Sequence, residues 1–398
     1  MSHRFFSQVL FLGALVAAAF VCVSPLVAGG VAEELRQADG AADLEGDQFP
    51  DKVEVEYARG FEVEYFDTYK VVTVPEAWPG ATEPFAYLLV QRGAQVPDGY
   101  ENAMVVEVPV QSIITMSTTY LTHMENLGVL DTLVAHDSYD WLYSPTVRDM
   151  AEEQDLPAVG AGSMVNVELV LSLEPEVIMT YGSGSPDFDA HPTLLEAGLP
   201  VVMNADFLES TPLGKAEWVK FIALFYNKEA EANELFSEVE EEYNALAEVA
   251  KNADGKPSVL INAPWNGTWV VGSGDSFIAR YIADAGGRYI WEDTEGSSSL
   301  FLDIETVLDV AADAGYWINP GQWRSLDQAL AEDSRFSEFL AFEAAQVFNN
   351  DKRRTEAGGS DYYESGAANP HIVLADLVKI FHPELVPDHE FYYYRRLD

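Results

Sequence analysis

Two glutamates occupy matching positions in two separate parts of the chain, and each would place a negative charge in the first turn of a short helix. Glu168 lies in the run 166–173 (NVELVLSL) and Glu305 in the run 303–310 (DIETVLDV). Each run opens on an Asn or Asp that makes a good N-cap, so each glutamate falls at the second position of a predicted short helix. One such acid would serve the helix dipole. The matched pair predicts two equivalent negative points on one face of a two-lobed molecule.

A second group combines aromatic rings with arginines in loops that follow predicted strands. Ligands of open α/β sheets bind beyond the carboxyl ends of the strands, so these loops would line a cleft between two lobes. Flat rings suit a bulky chelate or macrocycle, and arginine binds carboxylates or catecholates in a bidentate way. Core packing is the alternative for any single ring, and a solvated patch is the alternative for the arginines. The predicted ligand-binding residues are Thr118, Tyr120, Tyr139, Trp141, Tyr181, Trp265, Trp269, Trp323, Arg324, Arg353 and Tyr362.

Other chemistry finds little support in the residue spacing. The chain has seven histidines, and those outside the first residues show no paired ligand spacing, so we predict neither a metal site nor a cofactor. No Gly-x-Ser-x-Gly elbow or phosphate-binding loop occurs, and no catalytic residue is assigned. The chain is therefore predicted not to be an enzyme, although its many acids leave a carboxylate-dependent secreted hydrolase as the alternative.

Alternating strands and helices must position these loops. Short apolar runs at 112–116, 132–135, 177–180 and 200–203 predict strands of a parallel sheet covered by helices on both faces. Apolar residues spaced by three and four then predict one long helix over about 228–251. A new strand follows it at once. The predicted fold is α/β, with two three-layer lobes joined by one long helix.

Before the first lobe, residues from about 53 to 73 alternate with period two, which predicts strands joined by hairpins. An additional N-terminal β subdomain is therefore expected. The predicted division of the chain is a signal peptide at 1–30, an acidic linker at 31–50, the β subdomain at 51–100, the first lobe at 101–227, the linking helix at 228–252 and the second lobe at 253–398.

The N-terminus predicts export. Arg4 precedes an apolar stretch that ends near Val23, and small residues after Pro25 offer cleavage sites. The single cysteine, Cys22, lies inside this stretch, where it is either part of the signal or a lipid-modified N-terminus. The 398 residues carry 66 acids against 22 Lys and Arg, a net charge of −44. Nucleic acid and anionic lipid are therefore poor partners, and the acidity fits solubility in salty surroundings.

Between about residues 106 and 387 the chain resembles the helical-backbone (class III) periplasmic binding proteins, which serve ABC importers of ferric siderophores, haem and cobalamin. The resemblance rests on 115–118 (TMST), the run 166–181, the long helix and the closing segment 373–383. It implies that Glu168 and Glu305 dock against arginines of a permease dimer with its ATPase. It also implies a monomeric protein, periplasmic or tethered to the outer face of the cytoplasmic membrane, that delivers a ferric-siderophore-type complex, with cobalamin or haem as alternatives.

Overall fold

The computed structural model describes residues 46–100 and 103–398. The predicted signal peptide, Cys22 and most of the predicted acidic linker lie outside these residues. Within the part of the chain that the structure describes, no helix is long and apolar enough to cross a membrane.

The first sheet is formed by four strands in the order β1-β2-β3-β4. The first three pair antiparallel and β4 joins β3 in parallel. Because β4 pairs with β3, the sheet extends past residue 100, where the sequence placed the end of the β subdomain. The alternating burial of β2 matches the period-two pattern that predicted strands here. The strands are β1 (Glu62–Tyr65), β2 (Tyr69–Val74), β3 (Phe85–Gln91) and β4 (Met104–Val108).

The first lobe contains a four-stranded sheet in the order β6-β5-β7-β8, with every pair parallel. All four predicted strands are present within about one residue of their predicted positions. The strands are β5 (Ile113–Thr115), β6 (Leu133–His136), β7 (Val177–Thr180) and β8 (Val201–Met203). The helices of this lobe are α1 (Thr118–Asn126), α2 (Pro145–Glu153), α3 (Val167–Leu173), α4 (His191–Glu196), α5 (Pro212–Ala216) and α6 (Trp218–Leu224).

The long helix α7 (Glu229–Lys251) joins the two lobes, as the sequence predicts. Its 23 residues give it a length of about 35 Å at 1.5 Å per residue. It packs against α6 on one side and against a C-terminal helix of the second lobe on the other. Among the described residues, no strand beyond this helix enters a sheet formed before it. The two lobes therefore have separate sheets, which confirms the predicted α/β fold.

The second lobe contains a five-stranded sheet in the order β11-β9-β13-β14-β15, parallel except for β15. A separate antiparallel pair, β10 and β12, lies beside it. The strands are β9 (Ser258–Ile261), β10 (Trp269–Gly272), β11 (Arg288–Tyr289), β12 (Ser299–Leu302), β13 (Tyr316–Ile318), β14 (Val347–Asn349) and β15 (Arg395–Arg396). The helices are α8 (Phe277–Asp284), α9 (Ile304–Ala311), α10 (Leu326–Glu332), α11 (Leu340–Glu343), α12 (Asp361–Glu364) and α13 (Pro370–Phe381).

Two buried carboxylates fasten the segment before β1 to the first lobe. Glu217, at the start of α6, accepts hydrogen bonds from the backbone amides of three successive residues, 56–58, at 2.7 to 3.0 Å. Glu209 accepts bonds from the amides of Arg59 and Gly60 and from the indole nitrogen of Trp218. Because both acids are buried and each accepts several hydrogen bonds, the segment is fixed against the first lobe.

A buried ion pair fastens the N-terminal sheet to the start of the long helix. Lys70 Nζ on β2 lies 2.6 Å from Glu229 Oε1 on α7, and both side chains are buried. The same ammonium donates to the carbonyl of Leu224 and to Asn227 Oδ1, at 2.6 and 2.9 Å. Burial lowers the pKa of Lys70 to about 8, and Glu229 opposes that shift. All three protons of the ammonium therefore have partners, which offsets the cost of burying it.

We predict that Lys70→Met lowers the free energy of unfolding by about 3–5 kcal/mol, because it leaves the Glu229 carboxylate buried without a cation. The double variant Lys70→Met with Glu229→Leu should recover most of that loss, since it removes both charges. Urea denaturation followed by circular dichroism measures the effect. The exposed pair Lys228–Glu231 is the control, and its removal should cost at most about 1 kcal/mol. A single variant as stable as the wild type would contradict the role of the pair.

Candidate functional site

A carboxylate of the second lobe binds backbone amides of the first lobe where the parallel strands of both lobes end. Glu364, in the α12 segment that follows β14, accepts hydrogen bonds from the amides of Tyr143 and Ser144, at 2.6 and 2.8 Å. Tyr143 and Ser144 belong to the loop that follows β6. Burial raises the pKa of the Glu364 carboxyl, and the two amides oppose that shift. The loops that follow the parallel strands of the two lobes therefore meet here, at the edge where the sequence predicts a ligand site, and that site stays a prediction.

Two glycines allow the lobes to come into contact beside this carboxylate. A Cβ at Gly358 would lie 2.8 Å from the Trp141 ring, and a Cβ at Gly359 would lie 2.6 Å from the Trp141 carbonyl oxygen. No other residue fits there without a shift of backbone or ring. The segment around Gly358 lies against the first lobe at Trp141, whose own ring remains largely exposed.

Arg353 is committed to the same inter-lobe contact. It forms an ion pair with Asp361, and its guanidinium lies over the rings of Tyr143 and Tyr392, with 5.0 and 4.3 Å to the ring centroids. The ion pair engages Nε of the guanidinium, and the two rings fix the position of its plane. Arg353 therefore contributes to the contact between the lobes, and its predicted role as a ligand-binding cation stays a prediction.

Three exposed aromatic rings stand on the carboxyl edge of the first lobe, and we call Tyr181, Phe188 and Phe207 the aromatic wall. Their side chains are 39%, 73% and 41% exposed. Tyr181 and Phe207 meet edge to face, with centroids 6.4 Å apart, and Met116 lies in the recess beside Tyr181 and Phe188. The sequence analysis names Tyr181 but misses both phenylalanines. They could have been found as aromatic residues in the segments that follow β7 and β8.

The loop that carries Tyr181 is held by a buried acid. Asp189 accepts hydrogen bonds from the amide and hydroxyl of Ser183, both at 2.7 Å, and from the amide of Gly184 at 3.0 Å. Since the Asp189 side chain is almost fully buried, these bonds fix the loop at one position. The Tyr181 ring therefore projects from a loop whose backbone is fixed by hydrogen bonds.

On the second lobe, Trp265 and Arg324 follow parallel strands and are exposed, and their contact with a ligand stays a prediction. Trp265 lies in the tight turn between β9 and β10, closed by backbone bonds with Thr268. Arg324 follows β13. Its guanidinium forms no ion pair with any described residue, and only its backbone is engaged, through Gln328 and Arg395. These two side chains remain available at the edge of the second sheet.

Tyr120, Trp269 and Trp323 belong to the hydrophobic core, which corrects their prediction as ligand-binding residues. Trp269 is fully buried, stacks on Trp317 with centroids 5.4 Å apart, and donates its indole N–H to the carbonyl of Ile261. Trp323 meets the same Trp317 ring edge to face and bonds to Glu332. Burial of a large aromatic ring stabilises the folded protein more than burial of a small side chain, so these rings pack in the core.

The remaining predicted residues lie near the cleft but are only partly exposed. Thr118 opens α1, behind the N-cap Ser117. Tyr139 follows β6 and lies against the ring of His136, and burial raises the pKa of its phenol to about 12. Tyr362 sits in α12, edge to face with Tyr363, Tyr393 and Tyr394. These three side chains border the site rather than project into it.

The two matched glutamates lie at the helix positions the sequence predicts, and the N-cap roles of Asn166 and Asp303 are confirmed. Each helix returns the chain to the next parallel strand, so its N-terminus lies on the carboxyl-edge side of its sheet. Both acids are exposed, but their surroundings differ. Glu305 pairs with Arg335 at 2.6 Å, whereas Glu168 has no ion pair with any described residue.

A cavity of about 240 Å³ lies elsewhere, among α1, α6, α7 and the start of α13. His123 and His371 line it, and no described residue bonds either ring nitrogen of His123. Burial lowers the pKa of His123 to about 4, so the ring is neutral at pH 7. The cavity lies more than a helical turn along α1 from the end of β5, so it is separate from the cleft. Its lining is half polar and half apolar, and the polar half could hold water.

No group of three or more His, Cys, Asp or Glu side chains is placed to hold a metal ion within residues 46–100 and 103–398. The chemistry of the cleft is therefore that of rings, backbone amides and two unpaired arginines, Arg324 and Arg354. A surface of this kind can bind a bulky, partly apolar and anionic molecule.

Comparison with known proteins identifies the same architecture. Residues 113–353 match a family model described as "Periplasmic binding protein". An uncharacterised lipoprotein of Methanocaldococcus jannaschii is 30% identical over 297 residues, which are 71% of this chain and 68% of the relative. Two solved structures share the fold at lower identity. The periplasmic haem-binding protein RhuT of Roseiflexus sp. RS-1 is 20% identical, with a TM-score of 0.55 over 69% of this chain and 99% of that one. An ABC-type Fe³⁺-hydroxamate transport system protein of Saccharomonospora viridis is 16% identical, with a TM-score of 0.52 over 69% and 94%.

We predict that Glu364→Gln loosens the contact between the lobes, because an amide has only one oxygen to accept the two backbone N–H groups. A hydrogen bond to a charged acceptor contributes about 1.5–3 kcal/mol, so exchange at the amides of Tyr143 and Ser144 should rise roughly tenfold to a hundredfold. Hydrogen–deuterium exchange with mass spectrometry measures the change. The control is Glu356→Gln, an exposed acid of the same segment. Unchanged protection of both amides would show that Glu364 does not hold the lobes.

Proposed function

Because this chain belongs to the periplasmic binding protein family, we propose that it captures a ferric-siderophore-type complex outside the cytoplasmic membrane and delivers it to an ABC import permease. The family match supports the binding role, and the chemistry of the cleft supports the class of ligand. The protein acts as a carrier, with no bond made or broken in its ligand.

The observation that carries the proposal is the aromatic wall of Tyr181, Phe188 and Phe207. Exposed apolar surface costs about 25 cal/mol per Å² in water, so three exposed rings on one edge indicate a surface that a ligand covers. Trp265 is exposed on the corresponding edge of the second lobe. A hydrophobic chelate backbone between such rings would bury apolar area on both sides.

Charge supports an anionic ligand. Arg324 and Arg354 follow β13 and β14, and neither forms an ion pair with a described residue, although Arg354 Nε donates to the carbonyl of Gly358 at 3.3 Å. The chain has a net charge of −44, and an arginine without an acidic partner is a candidate for binding an anion. Two unpaired guanidiniums at the cleft would bind carboxylates or catecholates of a ferric complex in a bidentate way.

Haem is the alternative that a specific residue favours. A tyrosine can hold haem iron, and Tyr181 presents its ring from a braced loop within a wall of flat side chains. Burial raises the pKa of the Tyr181 phenol, so the iron would have to displace its proton. The similar structure from Roseiflexus sp. RS-1 is of a haem-binding protein. Cobalamin, a macrocycle of similar width, belongs to the same class of ligand.

The proposed location is outside the cytoplasmic membrane, either free or tethered. The predicted signal at 1–30 directs export. The relative that is named a lipoprotein favours a lipid tether at Cys22, and the mass of the mature N-terminus distinguishes this tether from a cleaved, soluble form.

The proposed permease contacts are Glu168 and Glu305. Close charge pairs at interfaces couple by about 1.5–7 kcal/mol. Apolar side chains accompany each acid, since Met164 and Leu171 are exposed beside Glu168 and Phe301 beside Glu305. A basic, partly apolar surface of a permease dimer complements this combination. Arg335 shields Glu305, so this acid must exchange one arginine partner for another on docking.

We predict that ferrichrome or haemin quenches the tryptophan fluorescence of the protein, and that Tyr181→Ala and Phe207→Ala each weaken binding about tenfold. Each variant removes one ring contact, and a tenfold change corresponds to about 1.4 kcal/mol. Phe66→Ala is the matched control, because Phe66 is 38% exposed, close to the 41% of Phe207, but lies on the N-terminal sheet.

For haemin, Tyr181→Phe should remove the shift of the Soret band if the phenol binds iron, and should leave it unchanged if the wall only stacks. Failure of the wild-type protein to bind ferric siderophores, haemin and cobalamin would refute the proposed ligand class.

We predict that Glu168→Ala with Glu305→Ala abolishes uptake while leaving ligand affinity within about twofold of the wild type, since neither acid lies on the aromatic wall. Uptake of labelled iron by proteoliposomes that contain the importer measures the first effect, and fluorescence titration measures the second. The matched control is Glu174→Ala with Asp309→Ala, which removes two exposed acids from the other ends of the same helices. Normal uptake by the first double variant would exclude the docking role.

A further inference from the structure

We propose that the N-terminal sheet is part of the ligand site, and that Trp78 is the residue through which it positions the loop of the aromatic wall. The proposal rests on the proposed binding function, because it concerns the same wall. Trp78 lies in the connection between β2 and β3, about one hundred residues before the loop it contacts.

The indole of Trp78 lies directly against two glycines of the loop that carries Tyr181. A Cβ added at Gly182 would lie 2.7 Å from Trp78 Cε3, and one added at Gly184 would lie 2.8 Å from Trp78 Cδ1. These distances are shorter than any ordinary carbon–carbon contact. The loop therefore touches the indole with its bare backbone at two points, and the glycines are there because the ring occupies the space of their side chains.

The indole is itself held in place from its other sides. It stacks on the ring of His191, with centroids 4.9 Å apart and an angle of 24°, and meets Phe85 of β3 edge to face at 5.8 Å. His191 opens α4 and is nearly buried, and Phe85 belongs to the sheet. Because both neighbours are on regular elements, Trp78 transmits the position of the sheet and of α4 to the loop.

Asp189 and Trp78 hold the same loop by different means. The carboxylate of Asp189 accepts the amides of Ser183 and Gly184, whereas the indole blocks movement of Gly182 and Gly184 toward the N-terminal sheet. Tyr181 immediately precedes this doubly held segment. Removal of the indole would open a space behind the loop, and the Tyr181 ring would lose its fixed position on the wall.

A second contact shows that the support is not confined to one loop. The backbone amide of Met203, at the end of β8, donates to the hydroxyl of Tyr87 on β3 at 2.7 Å, and Tyr87 is buried. Phe207, another member of the wall, follows β8 by four residues. The N-terminal sheet thus lies behind both strand ends from which the wall arises.

The first test measures the loop in the protein without ligand. Trp78→Ala should raise hydrogen exchange at the amides of Ser183 and Gly184 about tenfold or more, and Trp78→Phe, which keeps a ring, should restore most of the protection. Phe66→Ala removes a stacked ring from the same sheet, away from the loop, so its exchange at these amides should match the wild type. Protection of Ser183 and Gly184 that survives Trp78→Ala would overturn the proposal.

The second test uses a double-mutant cycle. Gly182→Ala should disturb the loop in the wild-type background, because its Cβ would collide with the indole. In the Trp78→Ala background the same change should cost less, because only the movable side chains of His191 and Met203 remain close. Equal effects of Gly182→Ala in both backgrounds would show that the indole does not act on the loop.

The third test connects the loop to binding. Trp78→Ala should weaken binding of ferrichrome or haemin by about tenfold, with recovery by Trp78→Phe, whereas Phe66→Ala should change the affinity less than about twofold. Looser exchange at Ser183 and Gly184 with unchanged affinity would overturn the link to the ligand. If the wild-type protein binds neither probe, the proposed ligand class fails, and the exchange data still decide whether Trp78 positions the loop.

Discussion

The structure depends on buried carboxylates that each bind a run of backbone amides. Glu217 and Glu209 hold the segment before β1, Asp189 holds the loop of the aromatic wall, and Glu364 joins the two lobes. Asp376 does the same for the C-terminal segment, where it accepts the amides of three successive residues, 392–394, and bonds His389. A carboxylate accepts several hydrogen bonds at once, and bonds to a charged acceptor are about twice as strong as neutral ones. Five of the chain's many acids thus fix segments that lack regular structure.

The buried carboxylates also explain how the N-terminal sheet is held in place behind the loops of the first lobe. Glu217, Glu209 and the Lys70–Glu229 pair fasten the sheet and the segment before it to α6 and α7. Once the sheet is fixed there, Trp78 and Tyr87 lie behind the ends of β7 and β8. The sheet then contributes rigidity to loops that would otherwise be supported only by their own turns.

The two proposed docking points, Glu168 and Glu305, look alike in sequence but differ in the structure. Both glutamates occupy the second position of a capped helix, yet only Glu305 has an arginine partner. The carboxylate of Glu305 on the second lobe is therefore partly neutralised by Arg335, whereas that of Glu168 on the first lobe has no ion pair with a described residue. Docking would begin more favourably at Glu168, because no existing ion pair has to be broken there.

The sequence alone determined the elements of this protein. The parallel strands of the first lobe, the long helix and the two N-caps follow from periodicity and capping over a few residues, and these were predicted close to their observed bounds. The aromatic residues were only partly predictable, because the same residue types serve the core and the cleft. Trp269 is buried because Trp317 and Ile261 lie beside it, whereas the Tyr181 ring meets Phe207 at one edge and is otherwise left 39% exposed. Likewise, only the tertiary structure decided that Arg353 would pack between Tyr143 of the first lobe and Tyr392 of the second, and that Trp78 would lie against Gly182. These contacts join residues far apart in the chain, and local pattern carries no information about which distant surfaces meet.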